Sequence, residues 1–237
     1  MKLMREKIFY FFFLLVFLTG SVNAITVKTV YRADIRNPEQ VFSEGFTAWG
    51  TNINYMSHIL GLSGSSGQRN SAFIPTSSNH DIADDFARER AVETGSTYYI
   101  YNIRATDNFY PALDTVYHIY DTHNVRVSDD VRATVAREQE YTAYSSISSS
   151  QIRSVEMLTF TNGQWVTETR ENPNYIDDAT THSHDGPYLG SDNSPLNHSA
   201  RLLVGFSGIG AAFIPSEDQE RNHPAIFCLN CLGKTEL

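Results

Sequence analysis

Glu138-Gln139-Glu140 places two carboxylates one residue apart, the first spacing in this chain that suits chemistry. On a strand continuing through Tyr144, residues 138 and 140 share a face, where one carboxylate can stay charged while the other takes up a proton. Taken alone, the triplet reads equally as a solvated acidic strand end. Far upstream, Tyr31-Arg32-Ala33-Asp34 sets an arginine two residues before an acid. The planar fork of guanidinium donors holds a pyrophosphate or a carboxamide in a way lysine does not reproduce. An arginine on a strand is, however, most often solvated or ion-paired. Cys228 and Cys231 are the chain's two cysteines. With no second pair for zinc and no thioredoxin-like βαβ pattern around them, a local disulfide and bonds to another chain both stay open. His182, His184 and Asp185 lie in a turn-rich stretch where nothing nearby completes a ligand set, so no metal is expected.

These residues need elements to position them. Residues 25 to 36 are β-branched and end at the Asn37-Pro38 turn signal, which predicts a first strand carrying Arg32 and Asp34. Asn37 as cap, Pro38 at the first position and Gly45 at the end frame a short helix. Gly61 to Asn70 is a Gly/Ser loop. Asp81 to Glu93 carries apolar residues at helical spacing with charges on the other face. Strands are predicted at Thr97 to Ile103, Val116 to Tyr120, Glu140 to Tyr144 and Val155 to Phe160. Asn162 to Ser199 is polar and turn-rich, and reads as a long loop or irregular subdomain.

Residues 1 to 24 read as a secretory leader. Lys2, Arg5 and Lys7 precede the apolar run Phe9 to Leu18, and Val22-Asn23-Ala24 offers a cleavage site. Removing it leaves roughly 210 residues, enough for one domain with an extension. It also moves the formal charge from −9 to −11, because three basic residues and Glu6 leave together. Such acidity disfavours nucleic acid and anionic membranes as main partners. The glycine-rich apolar stretch Ala200 to Ile214 is too short and broken to span a bilayer, and is expected to bury against the domain or a partner subunit.

The order of several segments carries a further signal. Val30-Tyr31-Arg32-Ala33-Asp34 is followed by Phe42-Ser43-Glu44-Gly45-Phe46-Thr47-Ala48-Trp49-Gly50, His58, and Ser71-Ala72-Phe73-Ile74-Pro75-Thr76-Ser77-Ser78. Then come Tyr99-Ile100-Tyr101-Asn102-Ile103-Arg104-Ala105, Asn108-Phe109-Tyr110, Tyr120-Asp121-Thr122 and Glu138-Gln139-Glu140-Tyr141. Between about Val30 and Asn162 this series resembles the pertussis-like toxin A subunits, a family of mono-ADP-ribosyltransferases.

The resemblance implies an α+β fold in which two mixed β-sheets with flanking helices form an NAD cleft over residues 25 to 199. It implies a 200 to 237 extension that docks onto a binding oligomer, with a pentameric B subunit as partner. It further implies an exported toxin A subunit that breaks the nicotinamide–ribose bond of NAD and passes ADP-ribose to a host heterotrimeric G-protein α subunit. Glu140 matches the catalytic glutamate, which stabilises an oxocarbenium-like ribose. Arg32 with Asp34 matches the NAD anchor, His58 the assisting histidine, and Trp49 an aromatic near the dinucleotide.

Three departures stand out. Pro75-Thr76-Ser77 replaces a Ser-Thr-Ser and removes one hydroxyl. Glu138 replaces a glutamine, giving the Glu-x-Glu form of arginine-modifying relatives. The cysteines of the family's internal disulfide align with Gly64 and Ala212, so that bridge does not carry over. The Lys234-Thr235-Glu236-Leu237 ending resembles a Lys-Asp-Glu-Leu retrieval signal, and equally a chance ending. The competing readings are a non-catalytic subunit of the same fold and an NAD glycohydrolase.

Overall fold

Strand β1 (Thr29–Asp34) buries Val30, Arg32, Ala33 and Asp34, so the predicted arginine strand is a core strand. It lies in a computed structural model that describes residues 26–60, 63 and 70–191. The leader, the Ala200 to Ile214 stretch, Gly64, Ala212, Cys228, Cys231 and the terminal Lys-Thr-Glu-Leu lie outside the described residues.

Helix α1 (Pro38–Glu44) starts where the Asn37 side chain accepts the Gln40 N–H at 2.9 Å. It stops at Gly45, whose φ of 73° and ψ of −152° suit a residue without Cβ. Strand β2 (Phe46–Thr47) follows, then helix α2 (Tyr55–Ile59), capped by the Asn54 side chain. Strand β3 (Phe73–Ser77) is wholly buried. Helix α3 (His80–Thr94) lays Ala83, Phe86, Ala87 and Ala91 on the sheet at helical spacing. Strands β4 (Tyr98–Arg104) and β5 (Phe109–Pro111), helices α4 (Ala112–Thr122) and α5 (Asp129–Glu138), and strands β6 (Glu140–Tyr144), β7 (Ser146–Ile147), β8 (Ile152–Thr161) and β9 (Gln164–Glu171) complete the order.

The α+β class and the two sheets hold, with antiparallel rather than mixed ladders. The larger sheet runs β5-β6-β3-β1-β4-β8-β9 and the smaller pairs β2 with β7. One joint in the larger sheet is weak. Strands β1 and β3 share the single register pair Tyr31–Ser77, whereas β1 and β4 share the run from Thr29–Arg104 to Asp34–Tyr99. The sheet is therefore two blades, β5-β6-β3 and β1-β4-β8-β9, which part beside Arg32. Pro75 sits in the middle of β3, and its carbonyl accepts from Arg32 Nη1 at 2.7 Å. A strand residue turns its nitrogen toward the same neighbour as its carbonyl, so Pro75 lacks a donor only where the ladder is already open.

Three expectations are corrected. Val116 to Tyr120 is helix, because Ala112, Thr115, Val116, Ile119 and Tyr120 form a buried stripe at helical spacing. Glu138 does not share a strand with Glu140: it ends α5, and Gln139 adopts a left-handed conformation (φ 46°) that turns the chain into β6. The 162 to 199 region is not all irregular, since Asn162 (φ 51°) and Gly163 (φ 77°) turn β8 back into the edge strand β9.

Gly45 is a sharp test of how the small sheet is joined. A Cβ there would lie 2.2 Å from the Ile147 carbonyl oxygen, in a backbone region costly to other residues. Gly45→Ala is expected to lower stability by roughly 1–3 kcal/mol, measured by urea unfolding; an unchanged midpoint would contradict this reading.

Candidate active site

The joint between the blades gathers the sequence candidates. Ser77 faces Tyr31 of β1 on one side and Glu140 of β6 on the other. Two hydroxyls fix the chain around Glu140: Ser77 Oγ donates to the Glu138 carbonyl at 2.8 Å, and Thr76 Oγ1 donates to the Tyr141 carbonyl. Thr76 and Ser77 thus hold the backbone on both flanks of Glu140. With Pro75 between them and Phe73, β3 keeps its ladder to β6 while giving its other side to Arg32.

Arg32 is 3% exposed, and each of its three nitrogens meets an acceptor, which engages three of its five N–H groups. Its Nε donates to Asp34 Oδ2 at 3.1 Å, Nη2 lies 2.9 Å from the same oxygen, and Nη1 reaches Pro75. Asp34 also accepts from Arg36 Nε at 2.9 Å, Nη2 at 2.7 Å and the backbone N–H at 3.0 Å. Burial alone would raise the Asp34 pKa; Arg32 and the Arg36 contacts overcome it and hold the carboxyl below its usual range. Arg36 lies over the Phe46 ring at 4.6 Å and beside the Trp49 ring at 6.0 Å. Trp49 is 42% exposed and meets the cluster through this arginine. Arg36 was not singled out in the sequence, although it repeats the two-residue spacing of Arg32 and Asp34.

Glu140 is the exception to this saturation. The residue is 6% exposed, and neither carboxyl oxygen has a hydrogen-bond partner. Its Oε1 lies 3.5 Å from His58 Nε2. Burial raises the carboxyl to about 8, against the opposing pull of Arg32. Burial also drives His58 down to about 3, helped by Arg32. At neutral pH the contact therefore joins an uncharged imidazole to a largely protonated carboxyl, and is not an ion pair. On its other side His58 Nδ1 meets Ser71 Oγ at 2.8 Å, and that oxygen also receives the Phe73 N–H at 3.1 Å. The thirteen-residue spacing of Ser71 from His58 gives no local signal of this bond.

The structure thus brings Arg32, Asp34, His58, Thr76, Ser77 and Glu140 together and sets Trp49 at the margin. Glu138 is buried at the end of α5, with its carbonyl used by Ser77. Outside the cluster, His182 Nδ1 is engaged by the Ser183 carbonyl and His184 Nδ1 receives the Gly186 N–H.

Buried polar atoms are as a rule hydrogen-bonded, and the two Glu140 oxygens are exceptions to that rule. They can accept hydroxyls, and as a carboxylate they can stabilise a cation in a low-dielectric setting.

The family model described as pertussis toxin, subunit 1 matches residues 26–188. The pertussis toxin subunit 1 homolog of Bordetella parapertussis is 39% identical over 158 residues, covering 62% of this chain and 59% of the relative. The chain thus spans about three fifths of the length of that relative. The ADP-ribosylating toxin CARDS of Mycoplasma pneumoniae is 37% identical over 99 residues, 40% of this chain and 16% of the relative. Among solved structures, EcPltA superposes with a TM-score of 0.61 at 27% identity, covering 72% of this chain and 97% of that one.

The two shifted groups fix a pH signature. Between 4.5 and about 8 the folded state keeps a Glu140 proton that the unfolded state has lost, so this group makes stability fall as pH rises. Between about 3 and 6.5 the unfolded state binds a His58 proton that the folded state refuses, so this group makes stability rise with pH. The two oppose each other up to 6.5, and Glu140 acts alone from there to about 8. Glu140→Gln should therefore gain on the parent chain across the upper window, by at most about 1.4 kcal/mol per pH unit. Urea midpoints measured against pH check this, and parallel curves would refute it.

Proposed function

From the premise that the chain belongs to the pertussis toxin subunit 1 family, we propose that it is an exported toxin A subunit that transfers ADP-ribose from NAD to a host protein side chain. The observation that carries the proposal is Glu140, a buried carboxyl with both oxygens unpartnered beside Arg32 and His58. In this reading the net-positive Arg32–Asp34–Arg36 chain anchors the anionic pyrophosphate of NAD, with Phe46 and Trp49 as its aromatic wall.

The bond from ribose C1′ to the nicotinamide nitrogen breaks with its electron pair leaving on nicotinamide, which becomes neutral. Positive charge moves onto C1′ and the ring oxygen. Glu140, ionised, lies against that charge and accepts a ribose hydroxyl. The acceptor side chain then attacks C1′ and gives up its proton. His58, held to about 3 by burial and Arg32, is too weak a base to keep that proton, which passes to solvent; its part is to orient Glu140 through the 3.5 Å contact. Thr76 and Ser77 serve by holding the backbone on either side of Glu140. The proposed acceptor is a heterotrimeric G-protein α subunit, and the proposed carrier a pentameric binding oligomer. Glu138 lies at a helix end rather than on the Glu140 strand, so the shared strand face does not argue for arginine as the acceptor.

Incubation with labelled NAD and host lysate separates the readings. A labelled protein supports transfer, ADP-ribose released to water supports a glycohydrolase, and absence of nicotinamide release supports a non-catalytic subunit. Glu140→Gln is expected to lower nicotinamide release by about 10²–10³-fold with NAD binding retained, and full activity in that variant would overturn the mechanism.

A further inference from the structure

Beyond β9 the chain runs as a strap across the domain, pinned at intervals by hydrogen bonds. Asn172 Nδ2 donates to the Ser149 and Ile152 carbonyls, both at 2.8 Å. Asn174 Nδ2 reaches the Phe42 carbonyl at 2.9 Å. Ser183 exchanges bonds with Val27, its N–H donating to the Val27 carbonyl at 2.8 Å and its Oγ accepting the Val27 N–H at 3.0 Å. The His184 N–H donates to the Phe109 carbonyl at 2.8 Å, and the Tyr188 N–H to Thr115 Oγ1 at 3.0 Å.

This last anchor delivers the Tyr188 ring into the cluster between α2, α4 and β3, where it is 8% exposed. It stacks on Tyr55 (6.3 Å between centroids) and meets Phe73 edge-on (5.0 Å). Those are the two rings that flank His58, at 6.2 and 5.4 Å. Tyr55 in turn bonds Thr142 Oγ1 through its hydroxyl at 2.8 Å, and Thr142 stands on the same face of β6 as Glu140. Helix α2 has five residues. One turn of helix does not hold its own position, so packing sets where His58 lies.

We propose that Tyr188 is a positioning residue for the site: its ring wedges Tyr55 and Phe73 against α2 and β6, and so fixes His58 opposite Glu140. The strap is then a clamp on the active centre, although it contributes no group that touches substrate. This inference rests on the transferase reading for its catalytic consequence, but the placement of His58 is measurable without turnover. The titratable and charged groups facing His58 are Glu140 from β6, Arg32 from β1 and Tyr55 from its own helix.

The full chain is compared with Tyr188→Phe, Tyr188→Ala and Tyr188→Leu by two readouts: steady-state nicotinamide release and NMR titration of the His58 ring. Tyr188→Ala is expected to lower kcat by about tenfold or more, with KM for NAD little changed. It should also move the His58 midpoint upward toward that of a solvated imidazole. Tyr188→Phe keeps the ring while giving up the hydroxyl's bond to Tyr144, and should match the parent chain in both because the ring sets the packing. If the alanine variant does not fold, the leucine variant, which fills the space without a flat ring, should show the same changes to a smaller degree. An unmoved His58 midpoint in the truncated variants overturns the proposal, as does a phenylalanine variant as impaired as the alanine one. A parent chain that releases no nicotinamide defeats the transferase reading; the His58 midpoint then decides positioning by itself.

Discussion

A carboxyl group with two unpaired oxygens in the interior is expensive to ionise, and the arrangement around Glu140 follows from that cost. Arginine and aspartate at the joint are paired with one another. Arg32 is matched by Asp34 and the Pro75 carbonyl, and Asp34 by two arginines. Glu140 alone waits for a partner, keeping a proton in the meantime, while His58 faces it without charge. A ligand that brings hydroxyl donors and a cationic ring would supply partners for both Glu140 oxygens.

The fold creates this situation by a flaw in its main sheet. Had β1 and β3 paired along their length, Arg32 would face a closed ladder. Their single pair at Tyr31–Ser77 leaves Arg32 to bridge the gap through its side chain. Thr76 uses its hydroxyl on the Glu140 strand and Ser77 on the end of α5 just before it, so the missing hydroxyl at Pro75 leaves the strand pairing intact. What it removes is a donor on the face shared with Glu140, consistent with the unpartnered carboxyl.

Local signals explain which parts were legible in the sequence. Helix α1 matches its expected bounds because Asn37, Pro38 and Gly45 encode both ends in side-chain chemistry. Strand β6 and the Arg32 strand were visible in β-branched and aromatic runs. Val116 to Tyr120 was not, since Val-Tyr-His-Ile-Tyr fits a strand by type, and only the burial of Ala112 and Thr115 with it reveals the helical stripe. Glu138 was misplaced because a single left-handed residue, Gln139, ends a helix without the glycine that usually marks such a stop. Strand β9 hid in an exposed polar sequence, although Asn162-Gly163 is a hairpin signal. Ser71 and Tyr188 act through contacts distant along the chain, which no window of sequence contains.

In the transferase reading, Glu140 holds a proton in the free protein and yields it when NAD occupies the site. Calorimetry with a non-hydrolysable carbocyclic NAD analogue at pH 7, in buffers of different ionisation enthalpy, counts that proton directly. The account predicts release of about one proton per analogue bound, and none in Glu140→Gln. Binding that exchanges no proton, or that releases the same number from the glutamine variant, would contradict it.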